Sequence, residues 1–377
     1  MIADPVLRLF SMCTSLEQTP SLRQEIAESA ARILDWTVIP ALAEKHGMAP
    51  LLRRNLNQAE VKLPSSVQRD LIALSLRHKL INHVRSSALS NLVCSFQQAN
   101  IPYRILKGAA LAYILYPEPG LRPMKDMDIL VRDGDLEQVC DLLQQAGYKQ
   151  NGQTAVSTDR HHLPEFHKLV DGFTLTIEIH NHLLLETSAH PWGRMEDLRS
   201  SPMQFSLPDG VQAVTLGSAE LLFHLCRHAF YDNHALEPLC MIWVADIINL
   251  AEKFVEELDW AIVERDYPLV QHVLTSLHEV RPLSDALIHA AHLNPQATRR
   301  QSFNPYLGWP AAPLSRDKPA GVARWLWETF FPSAWWLRLR YGGKRPASVY
   351  CVWAAHLRNL FTEATRRTLR RIKHQTN

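Results

Sequence analysis

Two carboxylates two residues apart open the chemistry of this chain. Asp126 and Asp128 stand in the run KDMDILV. On a β-strand alternate side chains share a face, so both acids point one way, with Cα atoms about 7 Å apart. Oxygen ligands at that spacing suit one or two hard cations. Met127, Ile129 and Val131 then point into a core. A second polar pair lies downstream in FTLTIEIHNHL, where Glu178 and His180 alternate with Leu175, Ile177 and Ile179. That alternation sets Thr174, Thr176, Glu178, His180 and His182 on one strand face, a carboxylate and an imidazole among them.

The elements that must position these groups follow from the same stretch. IPYRIL reads as a short strand ahead of an apolar helix, AALAYILY, which Gly108 opens by permitting a tight passage. A helix N-terminus offers free N–H groups and a positive dipole end, so it attracts phosphate, and Lys107 stands beside it. Pro117, Pro119 and Gly120 end the helix. Arg122 and Lys125 flank the approach to the aspartate strand, and we expect Arg122, like Lys107, to contact phosphate. DLEQVCDLLQQAGY is an amphipathic helix closed by Gly147. Asp171-Gly172 between two strand-like runs is a hairpin turn. His180 should border the same cleft and position an acceptor or a carboxylate rather than serve as a permanent metal ligand, because Mg²⁺ prefers oxygen.

The flanks read as helical. Ser21, with Gln24 in the capping-box position, opens a helix before Pro40, and a long helix runs from about Ser65 to Ala99. Nothing in this N-terminal part carries chemistry. Residues 183–213 look irregular; Ser218 then caps a helix, AELLFHLCRHAFY, and LCMIWVADIINLAEKF is a second helix. His224 and His228 sit at i and i+4, metal-ligand spacing, but without an HExxH glutamate they read as hydrogen-bonded histidines near the cleft. His161-His162 reads as loop surface, and Trp325, Trp327, Trp335, Trp336 and Trp353 as packing residues. The tail ATRRTLRRIKHQ is basic, a solvated helix or a contact for an anionic partner.

Composition excludes several classes. The 377 residues are 46% hydrophobic, enough for a sizeable core, and the net charge of +2 argues neither for nor against nucleic acid. Six scattered cysteines without a CxxC pair read as reduced thiols of a cytoplasmic protein. No signal peptide, membrane-length apolar run, P-loop, GxGxxG or Gly-x-Ser-x-Gly elbow is present. The expected fold class is α+β, with a small mixed-sheet core at 99–205 flanked by helical regions at 1–98 and 206–377.

LKGAALAYILYPEPGLRPMKDMDILV, followed by a helix ending in AGY and a strand reading IEIH, resembles the bacterial "uncharacterised nucleotidyltransferase" family of the polymerase-β-like nucleotidyltransferase superfamily. The resemblance covers about 100–185 and extends loosely to EKHGMAPLL, LLFHLCRH and WVADIINL. It implies Asp126 and Asp128 as the metal pair, Glu178 as third carboxylate and Gly108 as the helix-entry glycine. Lys107-Gly108-Ala109 departs from the superfamily's Gly-Ser or Gly-Gly, so no Ser hydroxyl reaches the phosphates there and Lys107 substitutes. The implied activity is Mg²⁺-dependent transfer of an NMP group from an NTP such as ATP to a small molecule, protein or RNA, through two metal ions. Glu178 would complete a metal site or act as base. The alternative is an inactive protein of the same fold that binds a partner through its helical regions.

Overall fold

The computed structural model describes residues 5–150, 162–183, 193–232 and 240–294, with short stretches at 330–331, 350–351, 353–358 and 360. Five helices come first: α1 (Pro5–Met12), α2 (Pro20–Ala30), α3 (Ile39–Lys45), α4 (Ala49–Gln58) and the long α5 (Ser65–Gln98). The sheet region follows as β1 (Tyr103–Ile105), α6 (Lys107–Ile114), β2 (Met127–Val131), α7 (Leu136–Gln145), β3 (Lys149–Gln150), β4 (Phe166–Val170) and β5 (Phe173–His180). A small hairpin, β6 (Gln204–Ser206) and β7 (Gln212–Val214), leads into α8 (Ser218–Arg227), α9 (Met241–Lys253), α10 (Trp260–Asp266), α11 (Leu269–Leu277) and α12 (Asp285–Ala290). The class is α+β around a mixed sheet, as the sequence predicts.

The sheet runs β1-β2-β5-β4-β3. Only β2 and β5 are parallel; the other neighbours are antiparallel. The β4–β5 hairpin turns on Asp171 and Gly172, at φ +51° and +80°, the paired left-handed geometry that Asp-Gly favours. Leu175, Ile177 and Ile179 are fully buried on one face of β5, as their alternation requires. In β2 all five residues are buried. The apolar α6 packs on β2 and on β6. One continuous apolar cluster joins α1–α5, the sheet and α8–α12.

Three local expectations shift. Thr19, not Ser21, caps α2: its side chain accepts the Leu22 N–H at 3.2 Å, and Pro20 follows at the first helical position, where no N–H is needed. Ser218 is the first residue of α8, which Gly217 precedes at the cap position. The stretch expected to be irregular contains the β6–β7 hairpin, whose strands are too short to show a period. Trp325, Trp327, Trp335, Trp336, His161 and the basic tail lie outside the described residues. Trp353 donates its indole N–H to the Phe330 carbonyl at 2.8 Å and stacks on Phe331.

Candidate metal and phosphate site

The parallel pairing of β2 and β5 builds the site. Its register sets Asp128 beside Glu178 and Leu130 beside His180. Glu178 and His180 are two residues apart, so they share the face on which Asp128 stands. Ligand atoms of Asp128, Glu178 and His180 all lie within 4.8 Å of one another. Asp128 is 2% and His180 1% exposed, so neither can be accounted for as a solvated surface group. A slip of one residue would turn all three to the opposite face, and the apolar Ile129, Ile177 and Ile179 forbid it.

Two donors meet on one oxygen of Asp128. Lys107 Nζ donates to Oδ1 at 2.8 Å, and His180 Nε2 donates to the same atom at 2.9 Å. A carboxylate can only accept, so the proton of His180 is on Nε2. That nitrogen also lies 3.5 Å from Glu178 Oε2. Burial alone would raise the pKa of Asp128; the charge of Lys107 and the His180 hydrogen bond outweigh it and hold the carboxyl well below its ordinary range. Burial likewise pulls Lys107 down, but Asp128 raises it on balance, so the ammonium keeps its charge. His180 is raised too, its hydrogen bonds to Asp128 and Glu178 overcoming burial.

Asp126 stands one residue ahead of β2, partly buried. Burial, and after it the charge of Asp128, push its carboxyl up to about 6, against the pull of Lys107. The third member of the tight donor cluster is therefore His180 where the sequence suggests Asp126. Because β2 starts at Met127, the strand face that was to carry Asp126 begins after it. Asp126 still lies near enough for Asp128, Glu178 and Lys107 to act on its charge.

Gly108 and Arg122 meet in a way the sequence does not announce. A Cβ built on Gly108 would fall 2.7 Å from Arg122 Nη1 and 3.1 Å from Cζ, so a glycine is required by the guanidinium beneath it. Arg122 is buried, with 8% exposure. Nε contacts both Asp246 oxygens at 3.2 and 3.1 Å, Nη2 donates to Oδ2 at 2.7 Å, and Nη1 donates to the Pro123 carbonyl. Tyr116 donates its hydroxyl to Asp246 Oδ1 at 2.7 Å. Arg122 is thus committed to Asp246 on α9 and serves as the floor under the α6 entry, whereas the sequence suggests a phosphate contact. Lys125 is exposed.

The loop between α6 and β2 is tied down by α5, a helix in which sequence reading finds no chemistry. Asn82 donates to the carbonyls of Pro119 at 3.0 Å and Arg122 at 2.8 Å, and accepts the Met124 N–H at 3.2 Å; Arg85 donates to the Met124 carbonyl. Asn82, Arg85, Tyr116 and Asp246 are the positioning residues that sequence reading misses. One signal was available: Asp246 interrupts an otherwise apolar helix, and a buried acid must have a cationic or donor partner.

Histidines line the other side. His162 forms a β-bridge to His180, with ring centroids 5.4 Å apart, so it belongs to the site and not to a loop surface. His224 is 2% exposed, and neither ring nitrogen has a hydrogen-bond partner among the described residues. Burial first, then the nearby charge of Lys107, holds it neutral, well below its usual range. His228 is pushed down to about 3 by burial and by Lys107.

A mixed sheet with Asp128 paired to Glu178 and a glycine-entry helix beside it defines a core of the nucleotidyltransferase type. The family model described as "Uncharacterised nucleotidyltransferase" matches residues 33–278, and the chain belongs to that family. A crystal structure of an antigenic nucleotidyltransferase-like protein from Paracoccidioides brasiliensis is similar to this chain at 16% identity and a TM-score of 0.35, covering 54% of this chain and 91% of that one. Comparison with curated proteins gives no match. Family membership supports a nucleotidyltransferase-type function. Among the described residues no helix is long and apolar enough to cross a membrane.

Proposed function

We propose that this chain transfers a nucleoside monophosphate from an NTP to an acceptor hydroxyl with the help of a divalent cation. The observation that carries the reading is the register-fixed cluster of Asp128, Glu178 and His180, with Asp126 and Lys107 beside it. Ligand atoms at right angles around a cation with bonds of about 2.1 Å stand roughly 3 Å apart. The ligand oxygens of Asp128 and Glu178 lie within 4.8 Å of each other, so the two carboxylates fit such an ion, while His180, its proton on Nε2, holds Asp128 and does not ligate. Carboxylate oxygens accept Mn²⁺ as well as Mg²⁺.

When bound, the cation would neutralise charge on the transferred phosphoryl and the leaving pyrophosphate. The protein's own groups supply the rest. Lys107 offers an ammonium to the triphosphate, and the first N–H groups of α6, starting at Gly108, face the same place. Glu178, the most accessible member of the cluster at 18% side-chain exposure, is the candidate base for the acceptor hydroxyl. His180 orients Asp128 through its Nε2 proton. Catalysis of this kind is mainly positioning and electrostatics, so few groups suffice.

The test offers each labelled NTP, with Mg²⁺ or Mn²⁺, to small-molecule, RNA and protein acceptor pools and follows pyrophosphate release and label transfer. Asp128→Asn should abolish transfer. Equal transfer by wild type and Asp128→Asn would overturn the reading and leave a binding module of this fold.

A further inference from the structure

One oxygen of the carboxylate that a cation needs is already engaged. Asp128 Oδ1 accepts from Lys107 Nζ at 2.8 Å and from His180 Nε2 at 2.9 Å. One of those donors is a full positive charge, in a pocket where Asp128 is 2% exposed. A dication placed on Asp128 would meet the ammonium at close range with little water between them, and like charges so placed repel strongly.

Lys107 is also held by its backbone. It opens α6 at φ +46°, a left-handed conformation that L side chains seldom adopt. The Leu106 N–H just before it donates to the Asp128 carbonyl at 2.9 Å, so the turn and the strand are stitched at the very residue the side chain bridges. The chain holds an ammonium against Asp128 from a strained position. Strain retained next to a functional group is a sign of a role.

From this we infer that Lys107 is an internal counter-ion which the metal must displace, so that the cation loads onto Asp128 together with the triphosphate and not before it. The inference rests on the nucleotidyltransferase reading. The lysine stem is flexible and sits at the mouth of the α6 N-terminus, where phosphate oxygens collect. A triphosphate arriving there offers the ammonium new anionic partners, and Asp128 is released to the cation. Charge is conserved in the exchange: the ammonium moves from carboxylate to phosphate, and the carboxylate is left to a dication. Coupling of this kind is reciprocal, so each ligand tightens the other by one factor.

Calorimetry on the full chain tests the idea, with Mn²⁺ and Mg²⁺ titrated in the absence and presence of a non-hydrolysable ATP analogue. Lys107→Gly removes the ammonium and suits the left-handed backbone; Lys107→Met keeps the stem and removes only the charge. Without nucleotide, both variants should bind the cation more tightly than wild type, by a factor in the ~5–150-fold range of site–site couplings. The tightening by nucleotide should shrink by a similar factor. Adding Asp128→Asn to Lys107→Gly should erase the gain, which locates the ion. Should the glycine variant melt early, the methionine variant gives the same reading. Unchanged or weaker cation binding in both folded variants overturns the inference while leaving the transferase reading intact. Wild type that binds no triphosphate at any cation concentration instead overturns the transferase reading, and the nucleotide-free gain in Lys107→Gly still decides whether the ammonium guards Asp128.

Discussion

Asp246→Ala probes the contact on which the site's floor rests. The substitution strips Arg122 of its three contacts to carboxylate oxygens, at 3.2, 3.1 and 2.7 Å, and leaves a guanidinium of 8% exposure without its counter-charge. Tyr116 loses its acceptor at the same moment. Removing one partner of a buried ion pair costs about 3–5 kcal/mol, and the stranded tyrosine hydroxyl sets the expectation at the upper end. An exposed pair would cost under about 1 kcal/mol. Replacing both partners by apolar residues, Arg122→Met with Asp246→Leu, leaves no buried charge and should cost clearly less than the sum of the single changes. Urea unfolding of the full chain, followed by circular dichroism, gives all four corners of the cycle. A cost below about 1 kcal/mol for Asp246→Ala, or strict additivity in the double variant, would refute the description of Arg122 as a buried, committed floor.

Gly108→Ala should weaken triphosphate binding and lower the melting temperature, because its Cβ would lie 2.7 Å from Nη1 of a guanidinium that four contacts hold in place; binding equal to wild type would show the guanidinium free to move. Cation binding to the nucleotide-free protein should weaken as pH drops through about 6, where Asp126 takes up a proton, while Asp128 stays ionised; calorimetry on Asp126→Asn should show that step removed from the pH dependence of binding. The chain should also lose stability as pH falls below 6.5. His46 and His228, both held down to about 3, and His224, held lower than usual, stay neutral when folded but take up protons when unfolded. Each then removes up to about 1.4 kcal/mol per pH unit. Below about 6 the raised carboxyl of Asp126 offsets one such share, since the folded chain binds that proton more readily. Unfolding midpoints at pH 7, 6 and 5 check the slope, and a flat response would refute the buried, neutral state of these histidines.

The site was legible where a short period and a local turn code for it. Glu178 and His180 alternate with Leu175, Ile177 and Ile179, and Asp171-Gly172 pins the hairpin that presents them. The Asp128–Glu178 pairing was only half legible. Alternation tells which face a side chain takes, but not that β2 and β5 lie side by side with those two residues opposite. Asp126 shows the limit of extrapolating a strand beyond its end: the period holds from Met127 onward, and the acid before it is placed by the loop. Arg122 shows another limit. Its distance from Asp246 along the chain is 124 residues, so no local pattern can pair them, and a lone arginine beside a glycine helix entry invites the wrong partner. Asn82 and Arg85 looked like ordinary residues of a long helix because what they hold are backbone carbonyls 37 to 40 residues away, which no side-chain motif records.

The long-range ties have a consequence for dissecting this protein. Arg122 pairs with Asp246, Lys253 donates to the Ile114 carbonyl at 2.6 Å, Thr215 donates to the Ile105 carbonyl at 2.5 Å, and Asn82 and Arg85 clasp the 119–124 loop. A gene fragment spanning 99–205 would carry the acidic cluster yet leave behind the residues that satisfy its buried arginine and its loop. Such a fragment should precipitate or stay molten, and grafting the Asp-x-Asp strand into another scaffold should fail for the same reason. The chemistry here is not a cassette: it is inherited whole, with the helices on either side, or not at all.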